Sequence, residues 1–119
     1  MTAETDFIDR LRAVAPEIEP ALQEHLRDQE GELLPYVFSF EIAKWLDASA
    51  SADTARAATV LAWLEDEFAR GEFAVRNLID VGIIEMLPSV PEGRPVLDLL
   101  PPGLKALAED GGLFLPREP

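Results

Sequence analysis

Cysteine is absent from the 119 residues and histidine occurs once. The first absence excludes disulfides, thiolate zinc sites, iron–sulfur clusters and cysteine nucleophiles, and the second leaves little material for any metal site. Cations are scarce too: 10 Lys and Arg stand against 23 Asp and Glu, a formal charge of −13 at pH 7. A chain with that balance repels phosphate backbones and anionic membranes, so neither nucleic acid nor a membrane is an expected partner, whereas a basic protein is favoured. No apolar run approaches the roughly 20 residues that span a bilayer. The N-terminal MTAETDFIDRLRAV carries acids where a secretory signal carries its basic region, and a cytoplasmic location is the expectation. Also missing are a glycine-rich phosphate loop, a GxSxG elbow and a basic patch interleaved with aromatics. What remains is 48% hydrophobic, apolar enough to fold, and its length suits a single helical domain over 1–119 with a short tail at 113–119.

Apolar spacing is helical nearly throughout. Phe7, Leu11 and Val14 share one stripe and predict a helix over roughly 3–14, stopped by Ala15-Pro16. Ile18, Ala21, Leu22 and Leu26 predict a second over roughly 17–29, with Gly31 as its C-terminal cap. Residues 32–46, with Pro35 near the first turn and Val37, Phe38, Ile42, Trp45 and Leu46 on a broad apolar face, predict a third. The small polar stretch 47–53 reads as a turn in which Ser51 or Asp53 caps a fourth helix, which runs to about residue 69 and ends at Gly71. A fifth, roughly 72–87, is apolar around most of its circumference: Val75, Leu78, Ile79, Gly82, Ile83 and Met86 on one side, Phe73, Val81, Ile84 and Leu87 elsewhere. Such a helix belongs at the centre of a bundle. Residues 88–103 are rich in proline and glycine yet include Val96, Leu97, Leu99 and Leu100, which predicts a packed loop. Pro101 or Pro102 then opens a last short helix bearing Leu104, Leu107 and Ala108, Gly111-Gly112 closes it, and Phe114 docks the tail. The expected fold is all-α, a compact bundle or short stack of about six helices with a Pro-rich packed loop before the last.

Candidate chemistry is sparse. His25, beside Glu24 and Asp28, reads as an exposed helical histidine among acids, so neither chelation nor its substitution is expected to change stability or activity. Asp28, Glu30 and Glu32 surround the second interhelical turn, and Glu65, Asp66, Glu67 and Glu72 form another acidic concentration. Both are suited to receive Lys or Arg from a partner. Trp63 sits about 120° from the inner stripe of the fourth helix and is either second-face core or an exposed anchor; Trp45 reads as core. In the fifth helix Arg76 and Asp80 are i, i+4 neighbours expected to pair, while Asn77 and Glu85 suit a polar network that fixes helix packing better than catalysis by Asp80 and Glu85. No catalytic, cofactor-binding or metal-ligating residue is assigned, and no cofactor is expected. The partner-binding set is Asp28, Glu30, Glu32, Trp63, Asp66, Glu67 and Glu72.

Three segments carry a resemblance: GluLeuLeuProTyrValPhe at 32–38, LeuGluAspGluPheAlaArgGly at 64–71, and Val75 to Ile79 followed by Glu85 to Leu87. Together they cover roughly residues 30–100, and the pattern resembles a family of small, acidic, largely uncharacterised all-α bacterial proteins with a Val-Arg-Asn-Leu-Ile…Glu-x-Leu helix. The resemblance implies a domain of the kind encoded beside polymorphic toxins, hence an immunity protein, and it supplies no catalytic residues. The leading expectation is therefore a protein-binding inhibitor that occludes a basic toxin domain. A helical adaptor module in another bacterial assembly stands second and an enzyme third; oligomeric state is left open.

Overall fold

The structure, a computed structural model, describes residues 2–116 and is all-helical over them, with no strand among the described residues. Helix α1 spans Ala3–Val14; the Thr2 hydroxyl accepts from the Thr5 N–H at 3.1 Å while the Thr5 hydroxyl accepts from the Thr2 N–H at 3.0 Å, a reciprocal cap. A 3₁₀ turn at Pro16–Ile18 leads into α2 at Glu19–Asp28. Helix α3 covers Pro35–Ala52 and α4 covers Thr54–Arg70. Helix α5, Phe73–Asn77, continues through a π-helical turn at Leu78–Ile83 and a 3₁₀ turn at Ile84–Met86. The one-turn helix α6, Arg94–Leu97, lies in the Pro-rich segment, and α7 spans Pro102–Asp110. No helix of the described residues is long and apolar enough to cross a membrane.

The core is continuous from α1 to the tail. Phe7, Ile8 and Leu11 of α1, Phe38, Ile42 and Leu46 of α3, Val60, Leu61 and Leu64 of α4 and Leu78, Ile79 and Ile83 of the π turn are all buried together, with Val96, Leu97 and Leu104 closing one end. Leu113 is buried, its carbonyl accepting from the Val90 N–H at 2.9 Å, and Phe114 packs against the core beneath the Lys105 ammonium. The tail thus docks as far as it is described; residues 117–119 lie outside the described part.

Several boundaries differ from the sequence expectation, each for a local reason. The stretch expected as a turn at 47–53 is helical up to Ala52, because alternating alanines sustain the helix and Ala50 is buried. Asp53 alone makes the break, and its Oδ1 caps α4 by accepting from the Arg56 N–H at 3.3 Å. At the end of α2 both Glu30, φ 56°, and Gly31, φ 86°, are left-handed, and the Gly31 N–H returns to the Leu26 carbonyl at 2.7 Å, so Gly31 closes the helix as expected and Glu30 shares the turn with it. The fifth helix is not uniformly α-helical. Its π turn follows a wider i→i+5 repeat, so positions assigned to the core by a 3.6-residue period shift: Met86 is exposed while Ile84 and Leu87 are buried. Gly82 lets this turn approach α3, since a Cβ there would stand 2.5 Å from the Ser39 hydroxyl and 3.1 Å from Leu78.

One ion pair ties the start of α4 to the end of α1. Arg56 donates to both Glu17 oxygens, at 2.6 and 2.9 Å, and to the Val14 carbonyl at 2.5 Å. Hydrogen bonding from Arg56 holds the Glu17 carboxyl at about 2 instead of 4.5. A carboxyl whose pKa falls on folding adds stability above its unfolded value and loses it as the pH drops through the folded one. The unfolding midpoint in denaturant is accordingly expected to fall between pH 4.5 and about 2, and less steeply in Arg56→Met. Identical acid profiles for the two proteins would show that the pair contributes nothing.

Candidate protein-binding surface

The acidic run of α4 does not form one face. Glu65 reaches α7, accepting from the Gly103 and Leu104 N–H groups at 2.8 and 2.9 Å, so a carboxylate from another helix caps that N-terminus. Asp66 is exposed and pairs with Arg70 at 2.6 Å. Glu67, expected to meet a partner, is only 7% exposed and is clasped by Arg10, with Nη2 at 2.6 Å and Nε at 3.2 Å from Oε1, joining α4 to α1. Three consecutive residues have three addresses because each helical step turns about 100°. Replacing Glu67 with Lys is expected to cost about 1–3 kcal/mol, as it sets a cation beside Arg10 and Arg70. Asp66→Lys should stay within about 0.5 kcal/mol. Urea midpoints of the two variants decide the matter, and equal values would contradict it.

Trp63 takes the packed reading: its ring stacks on Phe7 with centroids 5.6 Å apart and planes 27° apart, and it lies against the core as Trp45 does. His25 is a correction. Its ring is 7% exposed, tilts against Phe38, and its Nε2 accepts the Leu34 N–H at 3.0 Å, fixing the link between α2 and α3. His25→Ala is therefore expected to lower stability by about 1–3 kcal/mol in a thermal melt, where the sequence suggested no effect. A melting curve superimposable on wild type would overturn that role.

Asp28 lines a cleft of about 250 Å³ with His25, Glu24, Glu41 and Lys44, while Glu30 and Glu32 are exposed on the turn beyond it. Lys44 pairs with Glu41 at 3.4 Å. Among the described residues no three acidic or histidine side chains converge as metal ligands. Glu72 is exposed at the start of α5, beside Arg10 and Arg70.

The most distinctive surface was not in the expected set. Phe73 opens α5 and is 79% exposed, although the sequence suggested burial around most of this helix. With Phe68, Arg76, Asn77, Asp80 and Leu107 it lines an open cleft of about 380 Å³ between α4, α5 and α7. Asn77 donates through Nδ2 to the Tyr36 hydroxyl at 2.7 Å, which extends the same surface to α3, where Tyr36 and Phe40 are 42% and 47% exposed. Tyr36 and Phe40 are one turn apart on α3 and share a face. Arg76 does not pair with Asp80; its guanidinium lies over the Phe68 ring, 4.7 Å from the centroid. Asp80 forms no ion pair among the described residues, and burial, then Glu85 and Asp110, push its carboxyl above the ordinary value. The expected polar network reduces to the Asn77–Tyr36 bond, while Glu85 is exposed.

Exposed aromatics beside an open cleft that holds Arg76 and Asp80 make this the candidate surface of a small acidic all-helical domain of charge −13. Residues 8–113 match the model of a family described as a domain of unknown function (DUF7674), and the chain belongs to that family. No curated protein and no solved structure matches it.

Proposed function

We propose that this protein is a stoichiometric inhibitor, an immunity protein that binds a basic toxin domain in the cytoplasm and covers its active site without chemistry or a cofactor of its own. One observation supports the reading above others: on a chain of charge −13, Phe73 is exposed in a cleft that holds Asp80, and Tyr36, hydrogen-bonded to Asn77 of that cleft, is exposed on α3 with Phe40. Excess charge of one sign raises the encounter rate with an oppositely charged protein, and aromatic anchors in a desolvated patch lengthen residence. The deciding experiment expresses the reading frame that adjoins this gene, alone and with the protein. Survival only when both are present, lost in a folded Phe73→Ala variant, is the expected result. Equal killing with and without the protein would refute the reading.

A further inference from the structure

We propose that the cleft between α4, α5 and α7 is the seat of a single arginine side chain from a partner protein, whose guanidinium meets Asp80 and whose stem lies along Phe73. This deepens the inhibitor reading and rests on it for the identity of the partner as a basic protein. The size fits: about 380 Å³ lies at the low end of the roughly 300–1,000 Å³ found for small-molecule sites, enough for one long side chain. Apolar walls come from Phe68, Phe73 and Leu107, and the polar groups are gathered at Arg76, Asn77 and Asp80.

The charges select a cation. The cleft itself holds Asp80 and Arg76; Glu85 and Asp110, outside its lining, also act on Asp80, and the whole chain carries −13, so the surrounding field favours a cation. The Arg76 guanidinium is held over Phe68 and leaves Asp80 without an ion pair among the described residues. Within the fold alone the ionised Asp80 is disfavoured by burial and by its acidic neighbours; an entering cation counters the repulsion and, by pairing with the carboxylate, offsets the burial. Asn77 spends an amide N–H on Tyr36, and its carbonyl oxygen accepts no bond among the described residues, so the residues lining the cleft include a second acceptor. Arginine suits this arrangement better than lysine: its planar head donates to two acceptors at once and stacks on an aromatic face, here that of Phe73. Exposing Phe73 to water gives the isolated chain no packing, whereas a stem laid along it removes that surface from solvent.

The test is a titration of the isotopically labelled full chain with N-acetyl-arginine amide, followed by amide chemical shifts. Saturable shifts confined to Phe73–Asp80 and Leu107 are expected, weakened at least about tenfold by Asp80→Asn and absent with N-acetyl-citrulline amide, which lacks the charge. Asp80→Asn should remain folded and be at least as stable as wild type at neutral pH, because it removes a charge that the fold disfavours. Phe73→Ala, an exposed change, provides a second folded variant with the same expected weakening. Shifts spread over Asp28, Glu30 and Glu32, shifts unaltered by Asp80→Asn, or no shifts at all would each overturn the proposal. The titration needs no toxin, so failure of the co-expression assay with a positive titration rejects the inhibitor reading alone. Protection that persists with a negative titration rejects the arginine seat alone.

Discussion

Replacing Leu78 or Ile83 with alanine is expected to lower the unfolding free energy by about 2–5 kcal/mol, the range for truncating a fully buried aliphatic side chain. Both side chains are wholly buried on the π turn that packs against α3, and Gly82 between them lets the two segments approach. Neighbouring side chains are held by helices on several sides, so the space left behind cannot close easily and its loss of contacts adds to the lost transfer free energy. Val81→Ala, on the same turn but 38% exposed, should cost less than about 1 kcal/mol. Urea titrations with unchanged slope read the difference. Equal midpoints for Leu78→Ala and Val81→Ala would show that this turn is not central to the core.

An effect of similar size is expected at Gly93, in the segment that leads into α6. A Cβ built there collides with the Pro88 carbonyl, which is backbone and cannot rotate away, and also crowds Leu97 at 3.2 Å. The residue has φ −83° and ψ 0°, which other residues adopt, so the requirement for glycine is one of space. Accommodating a methyl group means moving the backbone of a turn in which the Gly93 N–H donates to the Ser89 carbonyl at 2.9 Å and the Leu97 N–H to the Gly93 carbonyl at 2.8 Å. Val96 and Leu97, both buried, move with it. Gly93→Ala is expected to cost about 3 kcal/mol, lowering the melting temperature by about 10–20 °C. Gly111→Ala, whose Cβ meets nothing nearer than 3.4 Å, should change stability by less than about 1 kcal/mol. Matching melts for the two variants would contradict the packing described here.

Much of the architecture is legible where periodicity and punctuation agree. Helix α1 is bounded as its stripe and Pro16 predict, and α7 opens at Pro102 and closes with Gly112 in the left-handed conformation, φ 78°. Legibility fails where a residue has two roles or the period changes. Ser and Asp at 47–53 are turn formers by type, yet only Asp53 breaks the helix because the intervening alanines favour it. Glu30 joins Gly31 in the left-handed conformation, which no propensity scale indicates for a glutamate. The π turn is invisible to a 3.6-residue period, and with it goes the position of Met86; Phe73 is exposed at the start of α5, ahead of that turn, and Arg76 lies over Phe68 and does not pair with Asp80.

The candidate site is less legible than the fold, since charge type does not reveal whether a carboxylate already has a partner. Glu65 and Glu67 are spent inside the protein, on the N-terminus of α7 and on Arg10, whereas Asp80 faces a cleft with no cation paired to it among the described residues. The useful sequence signal lay in the motif segments. Tyr36 of the first and Asn77 of the third meet through one hydrogen bond, and that meeting places the exposed aromatics of α3 beside the cleft.

The proposed basic partner, drawn in by charge and held at the α5 surface, is tested most directly by stopped-flow mixing of the full chain with the protein against which the co-expression assay shows protection, over a range of salt. Association that slows steeply as salt rises, with dissociation nearly unchanged in wild type but faster in Phe73→Ala and Asp80→Asn, is the expected result. Association indifferent to salt, with both variants dissociating as slowly as wild type, would contradict it.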